Sequence, residues 1–410
     1  MGRPGTRVAP AGARTPTAEP DSDQSDRDDV FECRTWFEGL LGVPATEGNR
    51  VEILRNGDRI FFAMLEAAEA AEKTIDFATF NFGGSIASEF ARVLTAKARE
   101  GVRVRILLDR IGSVGADRGC LDDLRRAGAS VAWFRPLANP RIWETFHRGH
   151  RKVLVCDRKV AFTGGVGVDD RWLGDARNPD ERRDTHFRVR GPAVDGLHGA
   201  FVNNWAETGL PLFDDAVDDF EPQPVAGFST VQVVRAGART GWGDIATLMG
   251  VLLTFARKRL RIASAYFVPD KHVLAMLCEA ARRGVQVQVL VNGAHSDKWI
   301  SRLATQGQYE PMLDAGIEVW CYRPTMLHIK QITIDGIAAS VGSANLNARS
   351  MMQDEELNLA IFDPMVVKLL DEHFDDDLAH AERVDADRWS TRSRGQKALE
   401  LVPGVVARHL

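Results

Sequence analysis

Apolar and polar positions along this chain follow two rhythms, and the order in which the rhythms come is played twice. From "VEILRNGDRI" onward, "RIFFAMLEAAEAAE" (Arg59 to Glu72) carries apolar residues at helical spacing, and "KTIDFATFNF" follows as a strand. "SEFARVLTAKAREG" predicts another helix and the β-branched run "VRVRILLD" another strand. "CLDDLRRAGASVAWFRP" then leads towards "HRGHRKVLVCD" (His147 to Asp157). The second half repeats the series: helix "IATLMGVLLTFARK", strand "LRIASAYFV", helix "LAMLCEAARRG", strand "VQVQVLVN", then "MLDAGIEVWCYRP" and "LHIKQITID". Local matches are close, with "AREGVRVRILLD" against "ARRGVQVQVLVN" and "RRAGASVAWFRP" against "LDAGIEVWCYRP". Alternating β and α elements imply sheets covered by helices, and a duplicated α/β domain is the simplest account of the repeat.

The repeat divides the chain into a first domain (46–209) and a second (229–385), joined by a linker (210–228) and flanked by a leader (1–45) and a tail (386–410). The linker, "LPLFDDAVDDFEPQPVAGF", is acidic and contains Pro. The leader is expected to be disordered or loosely ordered, because its opening part is rich in Pro, Gly, Ala, Arg and Asp.

Length and composition narrow the class. At 410 residues, 44% hydrophobic and 27% charged, the chain is long enough for one large or two medium domains, each with its own core. A net charge of -5 argues against a protein coated for gripping nucleic acid. Cys33, Cys120, Cys156, Cys278 and Cys321 are scattered without a CxxC pair, which suggests reduced thiols with neither a disulfide framework nor a zinc site. No apolar run reaches the ~18 residues of a membrane-spanning helix. The N-terminal arginines lead into no apolar stretch, so a secretory signal is not expected.

The candidate chemistry lies in a motif that also occurs twice. His150, Lys152 and Asp157 fit H-x-K-x4-D, and so do His328, Lys330 and Asp335. After six residues each copy reaches a small-residue turn, "GGVG" from Gly164 and "GSAN" from Gly342. Each half then carries a further acid, Asp184 in "RDTHFRV" and Glu356 in "EELNLAI". One H-x-K alone is weak and is more often a surface feature. Two copies at matching places in a repeat, in a chain where most basic residues are Arg, are hard to ascribe to accident. Residues two apart on a strand share a face, so His150 pairs with Lys152 and His328 with Lys330. Packed about a pseudo-twofold axis, both pairs meet in one cleft. Two imidazoles and two ammonium groups suit a phosphate: the lysines neutralise its oxygens while one His attacks and the other protonates the leaving group.

These residues resemble the phospholipase D superfamily, whose signature is a duplicated H-x-K-x4-D-x6-G-S-x-N. The resemblance spans roughly residues 45–385. Within it the chain is most similar to the bacterial cardiolipin synthase branch, through "RGHRKVLVCDRKVAFTGG", "RDTHFRVRGPAV", "AARRGVQVQVLVN", "MLDAGIEVW" and "HIKQITIDG". The resemblance implies two pseudo-twofold-related phospholipase D-like domains, each a mixed β-sheet flanked by helices, with the active site at their interface. It implies a two-step displacement through a phosphohistidine, without metal or cofactor. His150 would be the nucleophile and His328 the acid, then the base, although symmetry lets the two roles be exchanged. Lys152 and Lys330 would hold phosphoryl oxygens. Ser343 and Asn345 would line the pocket beside the turn glycines Gly164 and Gly165. Asp184 and Glu356 would each orient a histidine from behind. Asp157 and Asp335 complete the motif and are expected to brace strand and turn. The chain departs from the pattern at Gly165, where the motif has Ser, and at Gly167, where it has Asn, so one side of the pocket is expected to rely on backbone or water.

The expected function is phosphatidyl transfer between phospholipids, with phosphatidylglycerol as donor. Hydrolysis to phosphatidic acid is the first alternative and a nuclease the second. The acidic net charge and the lack of an aromatic-basic track weigh against nucleic acid. Both complete H-x-K pairs weigh against a silent membrane scaffold. The expected partner is a phospholipid at the cytoplasmic side of the cell membrane, bound peripherally, and a monomer suffices for the site.

Further residues carry two readings each. His147 either touches the phosphate or headgroup or is a solvated loop residue. Arg148 and Arg151 either attract anionic lipid or form a solvated face. His186 reads as a satisfied structural histidine and Cys156 as a small core residue. "NPRIWETF" and "SDKWISRLATQGQY", expected as loops bordering the cleft, either dip into the membrane interface or simply pack. "ALELVPGVVARHL" is a candidate membrane contact in the tail.

Overall fold

The computed structural model describes residues 22–135, 147–213, 221–237 and 243–392. Its first half contributes β1 (Thr46–Arg55), β2 (Thr74–Thr79), β3 (Arg103–Asp109), β4 (Ser130–Phe134), β5 (Val153–Cys156), β6 (Val160–Gly164), β7 (Arg182–Arg183) and β8 (Thr185–Arg190). The second contributes β9 (Ser229–Ala236), β10 (Arg259–Ser264), β11 (Gln286–Asn292), β12 (Glu318–Tyr322), β13 (Met326–Leu327), β14 (Lys330–Ile334), β15 (Ala338–Gly342), β16 (Glu356–Phe362) and β17 (Ala381–Arg383).

Fifteen of these strands form one continuous sheet. Outward from its centre one half runs β1-β8-β6-β5-β2-β3-β4 and the other β9-β16-β15-β14-β10-β11-β12, with β17 added at the second edge. The halves therefore mirror each other strand for strand, and the join is the antiparallel pair β1–β9. In each half the outer three strands are parallel and the rest antiparallel. Every residue of β2 is buried, as a strand covered on both faces requires.

Alternate side chains feed different layers. On β3, Ile106 and Leu108 join a core with the helices Asn56–Glu69 and Gly84–Arg99, while Leu107 points into the layer beneath. That second layer holds the helices Ala193–Trp205 and Pro364–Ala379, and it mixes Phe187 and Val189 of the first half with Leu357, Leu359 and Ile361 of the second. The expectation of one core per half is met on one face only. On the other face the halves share a core, because the sheet runs unbroken through their junction.

The leader differs from expectation over part of its length. Ser22–Leu41 is a helix whose Cys33 and Phe37 are fully buried, with the Phe37 ring edge-on to Phe362 at 5.1 Å. The acidic composition there masks an apolar spacing of four residues (Cys33, Phe37, Leu41) that forms the buried stripe. Residues 1–21 lie outside the described residues, as do 214–220 of the linker, "NPRIWETF" and the end of the tail from 393. The second aromatic segment, expected as a loop, contains the helix Trp299–Gln306. Among the described residues no helix is long and apolar enough to cross a membrane.

Candidate active site

Both histidines stand where chain from one half is held by chain from the other. The His328 N–H donates to the Arg183 carbonyl at 2.7 Å, continuing the parallel pair β7–β13. Its mirror image is the His150 N–H, which donates to the Glu355 carbonyl at 3.0 Å beside a bridge between Gly149 and Glu355. The strand expected through His150 and Lys152 begins only at Val153, because these residues leave their own sheet to reach the other half.

The side chains cross over in the same way. His150 Nδ1 lies 3.0 Å from both oxygens of Glu356, and His328 Nδ1 lies 2.7 Å from Asp184 Oδ2. Each imidazole is thus braced by the opposite half. A carboxylate behind Nδ1 holds the proton there and leaves the Nε2 lone pair to the cleft. Lys152 Nζ donates to the His150 carbonyl at 2.8 Å, and Lys330 Nζ lies against the His328 ring and carbonyl. Rings enclose both imidazoles edge-on: Phe80 is 5.2 Å from His150, and Trp172 and Tyr266 are 5.1 and 6.1 Å from His328.

Burial and crowding set the charge states. Burial, with the neighbouring cations Lys330, Arg182 and Lys152, holds His328 well below the usual imidazole range. Burial also lowers His150, although Glu356 opposes it. Burial pushes Lys152 down to about 8 and Lys330 to about 7. It would raise Glu356, but His150, Lys152 and the Ser343 hydroxyl outweigh it and hold the carboxylate at about 2. Asp184 is raised by burial despite Lys330 and the Thr185 N–H. The site therefore gathers two ammonium groups and two imidazoles away from solvent and against the carboxylates of Glu356 and Asp184, an arrangement in which a bound anion would favour the protonated lysines.

The two departures from the motif have a structural reason. Ser343 Oγ donates to Glu356. In the first half that donor is Trp172 Nε1, 3.0 Å from Asp184 Oδ2. A Cβ on Gly165 would stand 2.4 Å from the Asp184 carboxylate, so a serine has no room. A Cβ on Gly167 would meet the Asn81 side chain at 2.9 Å. Asn81, whose amide donates to the Gly112 carbonyl at 3.1 Å, therefore takes the space beside position 167. Asn345 is buried, and its Oδ1 has no hydrogen-bond partner among the described residues. Gly164 and Gly342 each lie against the neighbouring strand, where a Cβ would meet backbone at 2.8 and 2.3 Å.

Other candidates sit elsewhere. Asp157 accepts from the N–H groups of Glu72, Lys73 and Thr74, and Asp335 from those of Arg257, Lys258 and Arg259. Both tie the far end of the motif strand to the start of its neighbour, away from the imidazoles. Arg148 and Arg151 are buried, contrary to both surface readings. Arg148 pairs with Asp109, and Arg151 binds Glu355 and the carbonyls of Glu356, Ala200 and Ala236. His147 Nδ1 is 2.9 Å from the Gln353 carbonyl. His186 is buried and held down at about 3 by burial and Lys152, and its Nδ1 has no hydrogen-bond partner among the described residues, which differs from the satisfied histidine expected. Cys156 is a core residue. Asp109, Trp172, Asn81 and Tyr266 were not singled out from the sequence. Asp109 closes the strand that matches "VQVQVLVN" and could have been found there, whereas the others carry no spacing signal.

Known proteins resemble the chain over most of its length. Two segments, residues 64–181 and 251–378, match the family described as "Cardiolipin synthase, PLD-like domain". Cardiolipin synthase 1 of Bacillus anthracis is 30% identical over 368 residues, 88% of this chain and 72% of that protein. Cardiolipin synthase of Geobacillus kaustophilus is 32% identical over 355 residues, 85% and 70% of the two chains. The crystal structure of phosphatidylserine synthase from Haemophilus influenzae Rd KW20 shares the fold, with a TM-score of 0.70 at 14% identity, covering 92% of this chain and 100% of that one. With one His–Lys pair inside each matched segment and the identity spread over most of its length, the chain belongs to the cardiolipin synthase family of phospholipase D-like enzymes and carries the PLD-like domain twice.

Proposed function

We propose that the protein transfers a phosphatidyl group from phosphatidylglycerol to the hydroxyl of a second phosphatidylglycerol, through a phosphohistidine. The observation that carries this reading is the crossed pair of imidazoles, each with Nδ1 on a carboxylate and an ammonium group beside it. The phosphodiester enters between Lys152 and Lys330, whose charge it offsets. The same anion offsets the cations that, after burial, hold His328 low, and so favours its protonated form. His150 Nε2 attacks phosphorus, the P–O bond to glycerol breaks, and His328 Nε2 gives its proton to the departing oxygen. The second phosphatidylglycerol then gives its hydroxyl proton to His328. Its oxygen attacks phosphorus, the P–N bond breaks, and His150 is regenerated. Cardiolipin and glycerol are the products. Asn345, whose Oδ1 has no hydrogen-bond partner among the described residues, flanks the phosphoryl group. One copy of the chain carries every group named.

The test is product analysis by mass spectrometry after incubation with phosphatidylglycerol vesicles and a chelator, beside His150→Ala and His328→Ala. Cardiolipin with glycerol from the wild type alone is expected. Phosphatidic acid would shift the reading to hydrolysis. No turnover of any phospholipid, with DNA cleaved in parallel, would sink the lipid assignment.

A further inference from the structure

His328 is buried and His150 only partly exposed, yet the proposed substrate lives in a bilayer, so some part of the surface must meet the lipid. Four exposed apolar side chains come from the segments that frame the cleft: Ile111 (49% exposed), Val114 (79%), Trp299 (65%) and Met352 (36%). Each is tied to the site by a short chain of contacts. The loop bearing Ile111 and Val114 follows β3 and is pinned by Asp109, which accepts from the N–H groups of Ile111, Gly112 and Gly149. Ser113 Oγ donates to the carbonyl of Phe80, the ring packed on His150. On the other side, Trp299 follows Lys298, whose ammonium sits 4.7 Å over the Tyr266 ring that packs on His328. Met352 ends the helix Ala348–Met352, directly before Gln353, whose carbonyl meets His147.

We infer that Ile111, Val114, Trp299 and Met352 form a rim that enters the interfacial layer of an anionic phospholipid bilayer and sets the cleft against it. The inference rests on the lipid reading given above. The occupant is a lipid surface because these side chains stand on segments that touch the rings packed on both histidines, and the substrate proposed for those histidines is itself held in a bilayer. Tryptophan favours the headgroup level, and Lys298 and Arg110, which directly precede Trp299 and Ile111 in the chain, supply cations for an anionic surface. Other exposed apolar side chains serve as a contrast. Phe228 (100% exposed) and Met365 (68%) lie near the far end of β16, where Phe362 pairs with Thr230. That end is about 20 Å along the strand from Glu356.

The test is sedimentation of the full chain with vesicles of phosphatidylglycerol in phosphatidylcholine. The triple variant Ile111→Ser, Val114→Ser, Trp299→Ser is expected to bind about tenfold or more weakly, and Phe228→Ser with Met365→Ser to bind as wild type. A second measurement needs no disruptive change: brominated acyl chains quench tryptophan emission, and Trp299→Phe is expected to lose most of that quenching. Wild-type binding by the triple variant, loss of binding in the far-end variant, or unchanged quenching in Trp299→Phe would each overturn the inference. Rim-dependent binding without phospholipid turnover would fell the proposed chemistry and leave the rim. Turnover with a rim-independent mode of binding would do the reverse.

Discussion

His150 Nδ1 meets the Glu356 carboxylate at 3.0 Å across 206 residues of chain, so the first motif is oriented by an acid from the second half. Glu356→Gln keeps the shape and removes the charge. We expect kcat to fall by about 10²–10⁴-fold. Glu356 raises His150, so the acid limb of kcat/KM is expected to move to lower pH. Glu356→Asp should recover part of the rate. A drop in rate with an unmoved acid limb would mean that Glu356 only supports the fold.

The roles of His150 and His328 can be separated with a phosphatidyl ester of p-nitrophenol, whose leaving group needs no proton. His150→Ala should release no burst of nitrophenol. His328→Ala should release a burst of about one equivalent and then stall, since nothing activates the acceptor. The opposite pattern would exchange the two roles.

Lys330 is held at about 7 and Lys152 at about 8 by burial. Since kcat/KM reports the free enzyme, it should decline as pH rises through these values and the ammonium groups lose their protons. Lys330→Arg cannot deprotonate and should carry the alkaline limb to higher pH. The lowered values have a stability consequence of definite sign. Between about 7 and about 10.4 the unfolded chain binds the more protons, so these groups make stability rise with pH across that window. Denaturant midpoints measured across it would show the slope.

Restoring the motif should harm the protein. Gly165→Ser places Cβ 2.4 Å from the Asp184 carboxylate. The expected outcome is a loss of about 1–3 kcal/mol in stability together with transfer activity. An active, stable variant would show that Asp184 can move without consequence.

Asp157 accepts three backbone N–H groups from a backbone at φ 52°. Asp157→Ala should lower stability by about 2 kcal/mol or more and leave KM unchanged. A raised KM at unchanged stability would bring this aspartate into the site.

The duplicated α/β plan, the His–Lys pairs and the acids Asp184 and Glu356 could all be read from the sequence, because each depends on local spacing. The crossing could not. It depends on β1 meeting β9 at the centre of the sheet, and no residue pattern states which strands pair across such a distance. Arg148 and Arg151 were read as surface residues because arginine is seldom buried unless paired. Their partners, Asp109 and Glu355, are 39 and 204 residues away. Gly165 read as a loss for the same reason: Trp172, whose indole donates to Asp184 where Ser343 donates to Glu356, lies outside the motif.

The crossing also bears on how such a chain could arise. Two identical half-length chains joined about a true twofold axis would have to brace both imidazoles alike. Covalent fusion lifts that identity. Here one imidazole is backed by Glu356 with a serine hydroxyl, and the other by Asp184 with an indole N–H. Each brace can be tuned without altering its twin, so a symmetric ancestor with two equal histidines could become a single machine in which attack and proton delivery are separate offices.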